Sequence, residues 1–136
     1  MNLKLQVPSF ELCQRLKELG FPQESYFYWC KHNEKIFIEY EVHSMSGESK
    51  SPQFIVPIQI CSAPSVAELG EALPLALKED MDMGISYSVE RCGLQIYKTY
   101  SGKSWVIHYF NRYKGGDTEA DARANMWIYL KENNLI

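Results

Sequence analysis

Long apolar runs are missing from this chain. No stretch approaches the ~18–20 apolar residues needed to cross a bilayer. Residues 1–8, MNLKLQVP, are too short and too polar for a secretory leader. Charge of one sign is missing too: 14 Lys and Arg stand against 17 Asp and Glu, a net charge of −3. That balance supplies no global attraction to nucleic acid or to an anionic membrane, though it leaves room for a local basic patch. Cysteine is sparse. Cys13, Cys30, Cys61 and Cys92 contain no Cys-x-x-Cys pair, and His32, His43 and His108 contain no His-x-x-x-His pair, so the spacings of a zinc site are absent. Four separated cysteines inside regular segments suit reduced core thiols in a cytoplasmic protein. There are no internal repeats and no low-complexity tracts.

What is present is one domain's worth of chain. Residues 1–136 match the usual size of a single domain and can bury a core without disulfides or metals. Aromatics are frequent, with nine Tyr, six Phe and three Trp, mostly in strand-like runs. Ser9 can cap a helix over 10–19, in which Leu12, Cys13, Leu16 and Leu19 form an apolar stripe; Gly20 suits its C-terminal turn and Pro22 blocks continuation. Residues 26–30 and 36–42 read as an antiparallel hairpin turning through 32–35. Residues 43–53 are loop-like. Residues 54–60 are extended, but Pro57 removes a ladder donor and demotes them to an edge. Ser65 and Glu68 have capping-box spacing for a short helix that Pro74 stops. Residues 75–78 can form a further turn. Residues 85–91 alternate cleanly. Residues 94–99 and 104–110 form a second hairpin, whose later strand is apolar on both faces and so belongs centrally. Gly115-Gly116 reads as a turn closing the strand region. Asp117 or Thr118 caps a last helix over 119–132, with Ala120, Ala124, Trp127, Ile128 and Leu130 on its apolar face. Antiparallel runs separated by helices predict an α+β fold: one mixed or antiparallel sheet of about five strands with three helices, arranged as an α/β/α sandwich. Gly70 stands out inside the second helix, where it costs about 1 kcal/mol relative to Ala. Close approach of the helix to a strand would account for it.

Candidates for chemistry each carry a structural reading beside the functional one. Cys61 or Cys92 with His108 could form a nucleophilic pair, but no local signature frames them, and buried inert thiols are the simpler reading. Glu79-Asp80-Met81-Asp82 could hold Mg²⁺, yet it has no marked partner and suits a solvated loop. Gly115-Gly116 before a helix invites a phosphate, but Asp117, Glu119 and Asp121 already occupy that positive end. Arg91, Lys98, Lys103, Arg112 and Lys114 interleave with Tyr97, Tyr100, Tyr109 and Tyr113, a composition that can stack single-stranded nucleic acid. The alternative is a hairpin with snorkelling lysines. Tyr26-Phe27-Tyr28-Trp29 could face a protein partner or a core. No catalytic, cofactor-binding or metal-binding residue is assigned, and no cofactor is expected.

Several stretches, in order, resemble small uncharacterised proteins of bacteriophages, prophages and other mobile elements: Leu16-Lys17-Glu18-Leu19-Gly20, Gln23-Glu24-Ser25 with Tyr26-Phe27-Tyr28-Trp29, Ala63-Pro64-Ser65 with Glu68-Leu69-Gly70-Glu71 and Leu73-Pro74, and Glu119-Ala120-Asp121-Ala122-Arg123-Ala124. The resemblance implies a bacterial or phage origin, an intracellular location and an α/β/α sandwich. It carries over no catalytic residue. The expectation is therefore a non-enzymatic accessory or interaction protein, off the membrane, acting alone or as a small homo-oligomer. The first alternative is a nucleic-acid-binding accessory protein using the hairpin and loop at 94–114. The second is a small hydrolase or nuclease.

Overall fold

A computed structural model describes residues 2–40, 58–74, 95–109 and 112–136. After a short 3-10 turn at Leu3–Leu5, the elements are α1 (Phe10–Glu18), β1 (Phe27–His32), β2 (Lys35–Tyr40), β3 (Ile58–Ser62), α2 (Val66–Ala72), β4 (Gln95–Lys98), β5 (Trp105–Tyr109), β6 (Arg112–Gly116) and α3 (Glu119–Glu132). The α+β class holds, but the single sheet does not. Among the described residues there are two separate three-stranded sheets, β2-β1-β3 and β4-β5-β6, with every pairing antiparallel. Each central strand, β1 and β5, has both edges occupied within its own hairpin set.

The layers also differ from a single-sheet sandwich, because helices stand between the sheets. On α1, Cys13 joins Val7, Cys61 and Ala63 beneath the first sheet, with Phe10, Trp29 and Ile38 packed around them. One turn on, Leu16 joins the main core of Leu69, Ile107, Tyr109, Trp127 and Leu130. α1 therefore has two apolar sides, one for the first sheet and one for α3.

The helix ends follow the sequence closely. Ser9 Oγ accepts from Leu12 N at 3.4 Å. At the other end of α1, Phe21 N donates to Leu16 O and Gly20 N to Lys17 O, with Gly20 at φ +85°, which is a Schellman closure. Ser65 N donates to Glu68 Oε2 at 2.8 Å while Glu68 N donates back to Ser65 Oγ at 3.3 Å, so the capping box is complete. Thr118, rather than Asp117, caps α3, accepting from Asp121 N at 3.0 Å. At the C-terminal end of α3, Asn134 takes the left-handed position at φ +54° that glycine takes after α1.

α3 is buried nearly all round. Ala122 and Met126 are fully enclosed in addition to the five residues expected on its apolar face. It packs against α1, α2, β5 and β6, which makes it the axis of the larger core.

Gly115-Gly116 is not a turn but the end of β6, paired with Val106 and Trp105 of central strand β5. A Cβ on Gly116 would collide with Ala122 N and come within 2.6 Å of Asp121 Cβ. Glycine is needed there because the strand crosses the first turn of α3 at backbone contact. Gly70 has a related cause, with a different partner from the one expected: its added Cβ would lie 2.6 Å from an Arg123 guanidinium nitrogen. α2 thus approaches a helix, not a strand. The predicted strand at 85–91, the loop at 43–53, the turn at 75–78 and Pro57 lie outside the described residues.

Candidate functional site

The register of the second sheet sorts its side chains onto two faces. Ile96, Lys98, Trp105, Ile107, Tyr109, Arg112, Lys114 and Gly116 are on the side of the helices: Ile107 and Tyr109 are fully buried, and Ile96 and Trp105 pack against the same core. The opposite face carries two cross-strand rows, Gln95–His108–Tyr113 and Tyr97–Val106–Gly115. No helix among the described residues covers it.

On this outer face Tyr97 is 43% exposed and Tyr113 is 56% exposed. The His108 and Tyr113 rings stack with centroids 4.1 Å apart and planes 8° from parallel. His108 Nδ1 lies 3.4 Å from Gln95 Oε1 on the neighbouring strand. Tyr100, in the turn of the β4–β5 hairpin, is fully exposed. Gly115, lacking a side chain, leaves the row beside Tyr97 and Val106 low and open. The outer face thus presents two exposed tyrosines, Tyr97 and Tyr113, on a strand scaffold held by the core beneath it.

Charge collects around this sheet. From Gln95 to Gly116 the sequence has four basic residues, Lys98, Lys103, Arg112 and Lys114, and no acidic one, in a chain whose net charge is −3. The lysine stems lie along aromatic rings: Lys98 Nζ sits 5.1 Å from the Trp105 ring centroid and Lys114 Nζ 4.3 Å from that of Tyr129. Arg112, Tyr113, Lys114 and Tyr129 line an open cleft of about 490 Å³ at the β6 edge, next to the exposed Tyr113.

The other candidates are not assembled. Cys61 lies under the first sheet and His108 on the outer face of the second, so the pair is not brought together. Burial pushes the Cys61 thiol up to about 11, with Lys17 pulling it down, and burial raises Cys13 further still. Cys30 is raised by burial and then by Glu39. These are neutral thiols at physiological pH, not activated nucleophiles. Burial likewise pushes the Tyr109 phenol up to about 12, and its hydroxyl donates to Pro74 O at 2.6 Å.

Several carboxylates near the helix ends have structural partners. Asp121 accepts from Ser9 N at 2.8 Å, Glu119 pairs with Arg123, and Glu132 pairs with Arg15. Among the described residues no group of three His, Cys, Asp or Glu could hold a metal ion. Cys92, His43, Arg91 and Glu79-Asp80-Met81-Asp82 lie outside the described residues.

The Tyr26-to-Trp29 run is mainly structural. Trp29 Nε1 donates to Pro8 O at 3.3 Å and its ring meets Phe10 edge-on, Phe27 packs on Tyr40, and the Tyr28 hydroxyl accepts from Ser25 N. Tyr26 alone of the four is well exposed, at 72%. The aromatic surface is elsewhere, on a sheet face that sequence spacing does not reveal. The available signal was the acid-free stretch from Gln95 to Gly116, which stands out against an acidic remainder. Among the described residues no helix is long and apolar enough to cross a membrane. No protein-family model, curated protein or solved structure matches the chain.

Proposed function

We propose that this protein is a non-enzymatic, cytoplasmic accessory protein of phage or mobile-element type that binds single-stranded nucleic acid on the outer face of its second sheet. The observation that carries the reading is the pair of exposed tyrosines, Tyr97 and Tyr113, the latter stacked on half-buried His108, on a sheet whose strands and turns contain basic residues and no acidic ones. Bases stack on aromatic faces without regard to sequence, and each such contact is worth about 1–3 kcal/mol. Lys103 stands at the hairpin tip, while Lys98, Arg112 and Lys114 alternate to the helix-facing side, so a bound backbone would meet its basic partners at the rim of the sheet and not on the aromatic face itself. An antiparallel sheet is a suitable platform because alternate residues of adjacent strands project to one side at fixed spacing.

The test is fluorescence anisotropy with a labelled oligothymidine at several salt concentrations. Binding should weaken with salt at a log–log slope of about −2 to −3, as expected for three or four phosphates neutralised on a single strand. Tyr97→Ala and Tyr113→Ala should each weaken binding at least about fivefold at constant salt. Absence of binding at low salt, or binding indifferent to both substitutions, overturns the proposal.

A further inference from the structure

Among the described residues four strands lie at the edges of the two sheets, and their exposed backbones are treated differently. On β3, Lys17 Nζ donates to Ile60 O at 2.6 Å and Ser62 N donates to Gln23 Oε1 at 3.0 Å. On β6, Asn125 Nδ2 donates to Gly115 O at 2.9 Å. Side-chain caps of this kind block unwanted strand addition. β2 has none: along Lys35–Tyr40, among the described residues no strand or side chain covers its outer edge.

The edge is also self-complementary. β1 and β2 join through a two-residue turn, Asn33-Glu34, with His32 opposite Lys35. In such a hairpin the pair beside the turn exchanges both ladder bonds. Lys35, Phe37 and Glu39 therefore direct their backbone groups to β1, and Ile36, Ile38 and Tyr40 direct theirs outward. An antiparallel copy of β2 centred on Phe37 matches Ile36 with Ile38 in hydrogen-bonded pairs. The same register sets Lys35 opposite Glu39 twice, once on each side of the two-fold axis. Neither charge has an ion-pair partner among the described residues. Shifting the centre to Ile38 would put Phe37 against Glu39 and carry the partner of Lys35 to position 41, outside the described residues.

We infer that β2 is a homodimerisation edge at which a second copy of this chain adds its own β2 antiparallel, in the register that pairs Lys35 with Glu39. Two three-stranded sheets thereby become one six-stranded sheet across the dimer. The surface is distinct from the outer face of the second sheet, so the inference stands apart from nucleic-acid binding.

Sedimentation velocity on the intact protein over a concentration series tests it. The wild type should dimerise reversibly. Lys35→Glu and Glu39→Lys should each weaken dimerisation about tenfold, because two attractive cross-strand pairs become repulsive in each homodimer. The double variant K35E/E39K should recover wild-type association, and an equimolar mixture of the two single variants should form a heterodimer. The recovery separates a lost interface from lost folding. A monomeric wild type, or a dimer unaffected by both charge reversals, overturns the inference, as does failure of the double variant and of the mixture to recover association.

Discussion

One methyl group at Gly116 should destabilise this protein more than a methyl group at any open turn. In Gly116→Ala the new Cβ meets Ala122 N, lies 2.6 Å from Asp121 Cβ and lies 2.7 Å from the Asp121 carbonyl carbon. These are mostly backbone atoms, and the turn that holds them is fixed on two sides. Asp121 N donates to Thr118 Oγ1, and Asp121 Oδ1 accepts from Ser9 N. Strand and helix must therefore separate. Overpacking of this kind costs about 1–3 kcal/mol, and the contacts here place it near the upper end. The smaller unfolded-state entropy of Ala returns about 0.4–1 kcal/mol, so the net loss is about 2 kcal/mol. With an unfolding entropy of about 2.1 cal/mol/K per residue over 136 residues, the melting temperature should fall by about 7 °C. Gly102→Ala is the control. Its φ is +68° and nothing lies within 4 Å of the added atom, so only left-handed strain of about 1 kcal/mol applies. Thermal and urea melts of both variants give the comparison. If Gly102→Ala is the more damaging, or Gly116→Ala changes stability by less than about 0.5 kcal/mol, the close-approach argument is wrong.

The helix boundaries were legible because their signals are local. Ser9 with Gly20, Ser65 with Glu68, and Thr118 state where backbone amides and carbonyls find partners, and those interactions span at most a few residues. The grouping of strands was not legible. Hairpins β1–β2 and β4–β5 follow from short turns, but whether two hairpins join one sheet is decided by what packs between them. Here that is α1, whose Cys13 and Leu16 face opposite layers. β6 was hidden because a Gly-Gly pair has the composition of a turn and no side chain to report the helix pressed against it. The aromatic and basic residues of the second hairpin were visible as a composition, but which of them share a face depended on register. Tyr109 belongs to the core while Tyr97 and Tyr113 belong to the surface, and a one-residue shift would exchange them.

Three further expectations follow from particular contacts. Ser65→Ala removes the acceptor for Glu68 N and the hydroxyl bonded to Glu68 Oε2, and should lower stability by about 1 kcal/mol in urea unfolding; an unchanged midpoint would mean that the capping box contributes nothing. Glu34 sits at φ +67° in the β1–β2 turn, where glycine is preferred, so Glu34→Gly should raise stability by about 0.5–1 kcal/mol in the same assay. The Cys61 thiol is held above its ordinary value, so the unfolded chain ionises first: its stabilising contribution is intact below pH 9 and is lost as pH rises towards 11. Urea midpoints from pH 8 to 11 should therefore decline less steeply in Cys61→Ala than in the wild type.

The central claim concerns the outer face of the second sheet, and the most direct measurement is a ¹H–¹⁵N correlation spectrum of the protein titrated with oligothymidine. The largest shifts should fall on Gln95, Tyr97, Val106, His108, Tyr113 and Gly115, with β1 and β2 of the other sheet unmoved. Shifts centred on the first sheet or on the α1 surface, or no shifts at low salt, would contradict it.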